Sequence, residues 1–473
     1  MDAAGHGLGD PRVPPPRRSG GGLGLTVIAA LVLAAMVAGV LYLTQDRSAT
    51  HGSGAAPAGP AVTSPTSQSP TTSALPDRQQ SLDALLRERS NAVMTGDRQG
   101  WLGTVDPTSR EFASKQEKVF ANLASVPFDS WSYQLAGNGP ALSAERLAAL
   151  GVKEAWVARV VLEYTLAESG TGPVRREQYL TLVPRGDRWL LADDTDGETA
   201  VDLWDLGRVH VDRGERSLVL GTADSATLGR MAREVDQASA RVDATWGRTW
   251  PRTVLVLVPQ DQAQMAALLG REDTSGLDQI AAVTTGEIGL DSAATSADRI
   301  IVNPDGFSQL GELGRDVVLT HELTHVATRA TTTVAVPIWL SEGFADYVAY
   351  KSTGLSTRRV AKDVLDDVRR GKGPKRLPDA QDFDPAVHDI APAYAGAWLA
   401  VRMIADRDGE DTLLRFYRDV AGGQGTGQQK AASTPGASTA SQTAVESAFA
   451  NVLHTNQEQF TSEWLEYLDH LAG

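Results

Sequence analysis

Residues 317–329 read VVLTHELTHVATR, and this run constrains the fold more than any other part of the chain. His321 and His325 stand at i and i+4, so on a helix their imidazoles rise from one face, about one turn apart. That separation suits two nitrogen ligands on one tetrahedral Zn²⁺, each at about 2.0–2.1 Å. Glu322 lies beside the first histidine, where its carboxylate can take a proton from a water on the metal. The ordinary alternative is a buried amphipathic helix whose histidines are satisfied by hydrogen bonds. The next stretch of chain favours the metal. After Pro337 comes WLSEGFADYVAY, residues 339–350, helical from about Leu340, and Glu342 falls seventeen positions past His325. That leaves enough chain for a reversal and a second helix packed on the first, which makes Glu342 the expected third ligand. Asp346, one turn further on, points the same way and can accept the second ring N–H of a ligand histidine. Read blandly, Glu342 is a carboxylate favoured at a helix N-terminus and Asp346 a solvated residue.

The N-terminus sets where this chemistry takes place. Leu23 to Leu43, LGLTVIAALVLAAMVAGVLYL, is 21 residues without a charge. At 1.5 Å per residue it spans a hydrocarbon core of roughly 30 Å. Arg12, Arg17 and Arg18 precede it, so the positive-inside rule keeps residues 1–22 cytoplasmic and places everything after Leu43 outside. A cleaved secretory signal is the alternative, but the run exceeds a typical h-region and no clear small-x-small site comes directly after it. Either way the rest of the protein is exported. Residues 44–80 are nearly all Ala, Gly, Pro, Ser and Thr, too poor in apolar surface to offset chain entropy, and read as a disordered tether. A net charge of −15 argues against a nucleic-acid partner. The absence of cysteine excludes disulfides, thiolate metal sites and a cysteine nucleophile.

With 473 residues, 42% hydrophobic and 22% charged, the chain has material for two or three globular units. From residue 81 to 195 helical spacing (Leu82, Leu85, Leu86, Arg89, Val93) gives way to strand-like runs. Those runs are Ala155–Leu166, Arg175–Val183 and Arg188–Ala192, which predicts an α+β domain. Asp97, Asp106 and Asp129 read as turn or cap residues. A second unit covers 209–473. Strands are expected at Val209–Val211, Ser217–Leu220, Thr253–Val258 and Arg299–Val302, with helices near Ser225–Trp246 and Gln262–Leu269. A mostly helical part begins at about Ser308. Residues 421–443 carry no periodicity and read as a mobile surface loop. The fold class is thus α+β: a transmembrane helix, an α+β domain, then a small mixed sheet leading into a helical subdomain.

Two resemblances extend this reading. The helix-then-sheet order of 81–195, with its AVMTGDRQGWL stretch, resembles the cone-like nuclear transport factor 2 fold, which by itself assigns no function. From about Val209 to the C-terminus the chain resembles gluzincin zinc metallopeptidases with a peptidase MA-like domain. The likeness rests on HELTH at His321–His325, WLSEGFADY at Trp339–Tyr347 and PAYAGAWLAVRMI around Tyr394. It implies zinc held by His321, His325 and Glu342, Glu322 as general base, Asp346 as partner of a ligand histidine, and a peptide or protein as substrate. The oxyanion of the reaction would need a donor beside the metal, for which Tyr394 is the first choice and His388 the second. The longer metzincin pattern fits worse, because Thr328 and Thr331 stand where it wants Gly and His. The run Arg299–Val302 is a candidate edge strand for a substrate backbone. Two other readings stay open: a binding module that keeps the fold, with or without the zinc, and a structural cell-envelope protein whose first domain binds a ligand while HELTH is incidental.

Overall fold

The computed structural model describes residues 78–473 apart from 168, 170–171, 286–297, 385–388 and 423–436. The expected cytoplasmic tail, the span at 23–43, nearly all of the tether and His388 lie outside the described residues. Among the described residues no helix is long and apolar enough to cross a membrane. Helices and two sheets alternate with no cis peptide bond among them, an α+β architecture as expected.

The first unit opens with helices α1 (Arg78–Thr95), α2 (Arg98–Gly103) and α3 (Arg110–Leu123). Next come strands β1 (Phe128–Asn138), β2 (Trp156–Leu166), β3 (Val174–Arg185) and β4 (Arg188–Asp193), with α4 (Ala144–Ala149) between the first two. The strands form an antiparallel sheet in sequence order. Leu82, Leu85 and Leu86 of α1, at helical spacing, pack with Phe112 onto Ala158, Val160, Leu182 and Leu191 of the sheet. Asp97 caps α2 by accepting from the Gly100 N–H, and buried Asp106 takes two hydrogen bonds from Arg185. Asp129 is no cap. It is an exposed residue of β1, a strand whose alternation of Trp131, Tyr133 and Leu135 with Ser132 and Gln134 is easily passed over.

The second sheet runs β5-β6-β7-β9-β8. After α5 (Leu203–Leu206) its elements come in the order β5 (His210–Arg213), β6 (Ser217–Gly221), α6 (Ser225–Trp246), β7 (Val254–Val258), α7 (Gln262–Leu268), β8 (Ala282–Thr285) and β9 (Arg299–Val302). Strands β6, β7 and β9 are parallel, and β5 and β8 close the two edges antiparallel. Arg299–Val302 is therefore not the edge strand expected from its position in the sequence. The short strand β8, unrecognised in the sequence, lies outside it.

Every residue of β6, β7 and β9 is buried, which requires cover on both faces. Val219, Val254, Val256, Val258, Ile300 and Val302 face the helical core. Leu218, Leu220, Leu255, Leu257 and Ile301 face the first unit, joining a core that holds Trp131, Tyr164 and Trp204. Phe128, Trp131, Tyr164 and Trp204 form an aromatic cluster there, with ring centroids 4.8 to 5.7 Å apart. Asp202 stands beside it, 3.3 Å from Arg176 of β3 and 3.5 Å from Arg299 of β9. The change of unit near residue 200 thus separates two sheets but not two hydrophobic cores.

The remaining chain is helical: α8 (Pro304–Ser308), α9 (Glu312–Arg329), α10 (Ile338–Tyr350), α11 (Thr357–Val360), α12 (Lys362–Arg369), α13 (Ala391–Asp408), α14 (Glu410–Gly422), α15 (Ala437–Val452) and α16 (Gln457–Ala472). The expected loop 421–443 is thus shorter at both ends. Helix α14 includes Gly422 and α15 already begins at Ala437, because alternating Ala with Ser and Thr is tolerated in a helix whose later face buries Ala444, Val445, Ala448 and Phe449. Helix α9 packs on α6 and α10, and α10 lies along α13. The last pair approach closely: a Cβ on Gly343 would sit 2.3 Å from the Ala397 carbonyl oxygen. Only glycine fits at that contact.

Candidate metal centre

Helix α9 is buried from Val317 through Thr328, so its histidines enter a protein interior and not solvent. His321 is 0% exposed, His325 6% and Glu342, from α10, 8%. Their facing atoms converge. His321 Nε2 lies 2.9 Å from His325 Nε2 and 3.2 Å from Glu342 Oε2. The third side of the triangle, His325 Nε2 to Glu342 Oε2, is 3.4 Å. Bonds of 2.0–2.1 Å at tetrahedral angles would set ligand atoms about 3.3 Å apart, so these three donors fit one ion. His321, His325 and Glu342 can hold a metal ion, and all three were expected to meet here.

Asp346 takes the place foreseen for it. Its Oδ1 is 2.8 Å from Nδ1 of His321, an arrangement that leaves Nε2 free to ligate. On the other ring, Ser341 Oγ makes a long 3.5 Å contact with Nδ1 of His325. The surroundings favour a positive charge at this spot. Burial opposes protonation of His321, but the hydrogen bonds and charges of Asp346 and Glu342 outweigh it and lift the ring to about 10. Burial likewise opposes ionisation of Glu342, yet His325 and His321 hold its carboxyl down at about 2. A cation at the centre of the triangle would supply what the proton supplies.

Glu322, 1% exposed, reaches the sheet beside α9. Its Oε2 accepts a hydrogen bond of 2.5 Å from Thr284 Oγ1 of the edge strand β8. Its Oε1 is buried with no partner. Tyr394, near the start of α13 and 0% exposed, makes no hydrogen bond of ordinary geometry through its hydroxyl, although that hydroxyl comes within reach of the Glu342 carboxylate. Its ring centroid lies 6.4 Å from that of His321. Burial, and then the charges of Glu342, Asp346 and Glu322, push the phenol well above its ordinary range, so the hydroxyl keeps its proton. Buried polar atoms rarely go unpaired, and Glu322 Oε1, on the residue next to His321, is one that does among the described residues.

Sequence reasoning missed Thr284, because the strand that carries it was not recognised. It also missed Arg329, which donates at 3.3 Å to both the Thr284 carbonyl and Asp298 and so fastens the end of α9 to the sheet. No protein-family model matches this chain, and no match was found among the curated proteins.

Proposed function

We propose that this protein is a zinc-dependent peptidase of the gluzincin type. Two buried polar groups, the unpaired Glu322 Oε1 and the protonated Tyr394 hydroxyl, carry the proposal. Glu322 is the chain neighbour of His321 and the Tyr394 ring lies 6.4 Å from that of His321, so a reacting carbonyl at the His-His-Glu set would have one proton acceptor and one donor nearby. Zinc suits two neutral imidazoles and a carboxylate, and once bound it acts as a Lewis acid and lowers the pKa of a coordinated water.

In this reading Thr284 holds Oε2 of Glu322 and leaves Oε1 to take a proton from the attacking water. The same oxygen returns that proton to the leaving amine nitrogen. Tyr394, protonated, donates to the oxygen on which negative charge develops. Asp346 fixes the His321 ring so that Nε2 points at the ligand triangle. Strand β8 becomes the place for the substrate backbone: its outer edge carries no strand among the described residues, and its Thr284 touches the general base. The apolar run 23–43 and the tether after it support a membrane-anchored enzyme acting outside the cell, with the first unit between tether and peptidase.

The deep burial of the site favours a second reading, a non-catalytic metal-binding protein of the same fold. One experiment separates the two. Purified protein is assayed for metal content and for cleavage of a peptide library. The peptidase reading expects about one zinc and measurable cleavage. Glu322→Gln should then keep the zinc and lose cleavage, while His321→Ala loses both. Zinc binding with no cleavage by the wild type supports the binding reading, and full cleavage by Glu322→Gln removes Glu322 from its role.

A further inference from the structure

The first unit and the segment that follows it line a partly open cavity of about 240 Å³, and none of the metal-site residues borders it. Its apolar wall includes Trp101, Phe112, Val119 and Trp204, and its polar wall Arg89, Lys115, Asp194 and Asp205. Arg89 is the unusual member. It is 5% exposed, with its guanidinium 3.4 Å from the centre of the Trp101 ring. Its hydrogen bonds go to neutral groups, Thr104 Oγ1 at 2.9 Å and Gln116 Oε1 at 2.7 Å.

Among the described residues no carboxylate lies within 4.0 Å of this guanidinium. Asp194, the acid whose charge reaches it, is already taken: both of its oxygens accept from Lys115 Nζ, at 2.7 and 2.8 Å. A buried cation without a counter-charge is costly, and burial accordingly lowers the Arg89 pKa. An anion from outside would complete it, and a guanidinium fork matches a carboxylate in two parallel hydrogen bonds.

We propose that this cavity binds a small apolar monocarboxylate, its acid group paired with Arg89 and its body lying against Trp101, Phe112 and Trp204. The volume restricts the ligand to about the size of a single ring or a short chain. Asp194 on the same wall, and Asp205 once it ionises above about 7, disfavour a second negative charge, which selects against phosphate esters and dicarboxylates. Because Trp204 also belongs to the aromatic cluster between the two sheets, the ligand would touch the segment that joins them.

The test uses the purified full-length protein and benzoate as probe, with benzamide as its neutral counterpart and phenyl phosphate as the dianionic one. Calorimetry should give saturable benzoate binding with a Kd of about 1 mM or tighter. Benzamide and phenyl phosphate should each bind at least about tenfold more weakly. Arg89→Gln should abolish the preference for benzoate over benzamide. Since that variant is exposed to misfolding, Val119→Phe provides a second route: it fills the cavity, leaves Arg89 in place and should also block binding. No saturable binding to the wild type, equal binding of benzamide, tighter binding of phenyl phosphate, or undiminished binding to a folded Val119→Phe would each overturn the proposal.

Discussion

Titrating zinc into the metal-stripped protein at pH 7 and again at pH 9 distinguishes two states of His321. In the structure the ring is raised from 6.5 to about 10, because Asp346 and Glu342 outweigh the effect of burial. Below that value each ion bound must displace one proton from the ring. Affinity then grows about tenfold per pH unit, or about 1.4 kcal/mol. Glu342, held at about 2, stays ionised throughout and adds no proton. Between pH 7 and pH 9 zinc should therefore bind about 100-fold more tightly, whereas a histidine of ordinary pKa would allow only about a 1.3-fold change. The assay is competition against a chelator whose own pH dependence is known. For stability the sign is opposite. A raised histidine stabilises the metal-free fold fully below 6.5, and this contribution is lost as pH rises through about 10. Melting of the stripped protein should fall across that window while the rise produced by zinc grows. Asp346→Asn should weaken zinc binding about 10–100-fold at pH 9 and flatten the pH slope. A wild-type affinity that changes less than about threefold between the two pH values would refute the reasoning.

Three substitutions probe other parts of the molecule. Thr284→Val removes the 2.5 Å hydrogen bond to Glu322, a bond to a charged group worth about 1.5–3 kcal/mol. Peptidase kcat/KM should fall about 10–150-fold with zinc content unchanged, and an unaltered rate would deny Thr284 its positioning role. Gly343→Ala places a methyl 2.3 Å from the Ala397 carbonyl oxygen, so α10 and α13 must part. Calorimetric melting should show a loss of about 1–3 kcal/mol together with a drop in kcat as Tyr394 shifts; wild-type values for both would contradict the close approach. Trp131→Ala opens the core between the two sheets, where the indole is 5% exposed, and should cost about 3–5 kcal/mol. Both units should still melt in one transition, and two well-separated transitions in the wild type would rule out a shared core.

Much of the site was legible in the sequence because its geometry is local. His321 and His325 share a helix face by spacing alone, and Glu342 and Asp346 share the next. Their meeting needed only a short connection between two helices. What stayed hidden depends on pairing at a distance. The run Arg299–Val302 was recognised with its correct ends, but its neighbour Ala282–Thr285 is four residues of AVTT with no alternation to betray it, so the sheet edge was assigned one strand too far inward. The shared core was hidden for a related reason. VLVLV at Val254–Val258 announces a strand covered on both faces, yet nothing local says that the second cover is Trp131, Tyr164 and Trp204. Strand β1, which brings Trp131 there, alternates Trp131, Tyr133 and Leu135 with Ser132 and Gln134 and ends in Ala-Gly-Asn, so only a short stretch of it shows a strand pattern.

The central claim is that two imidazoles and one carboxylate close on a single zinc and leave room for a water. Anomalous diffraction at the zinc edge, from crystals of the zinc-loaded protein, measures this directly. One peak within about 2.0–2.2 Å of His321 Nε2, His325 Nε2 and a Glu342 oxygen, with no fourth protein ligand, is the expected result. A peak elsewhere, a Glu342 turned away from the histidines, or a fourth side chain closing the ion would contradict it.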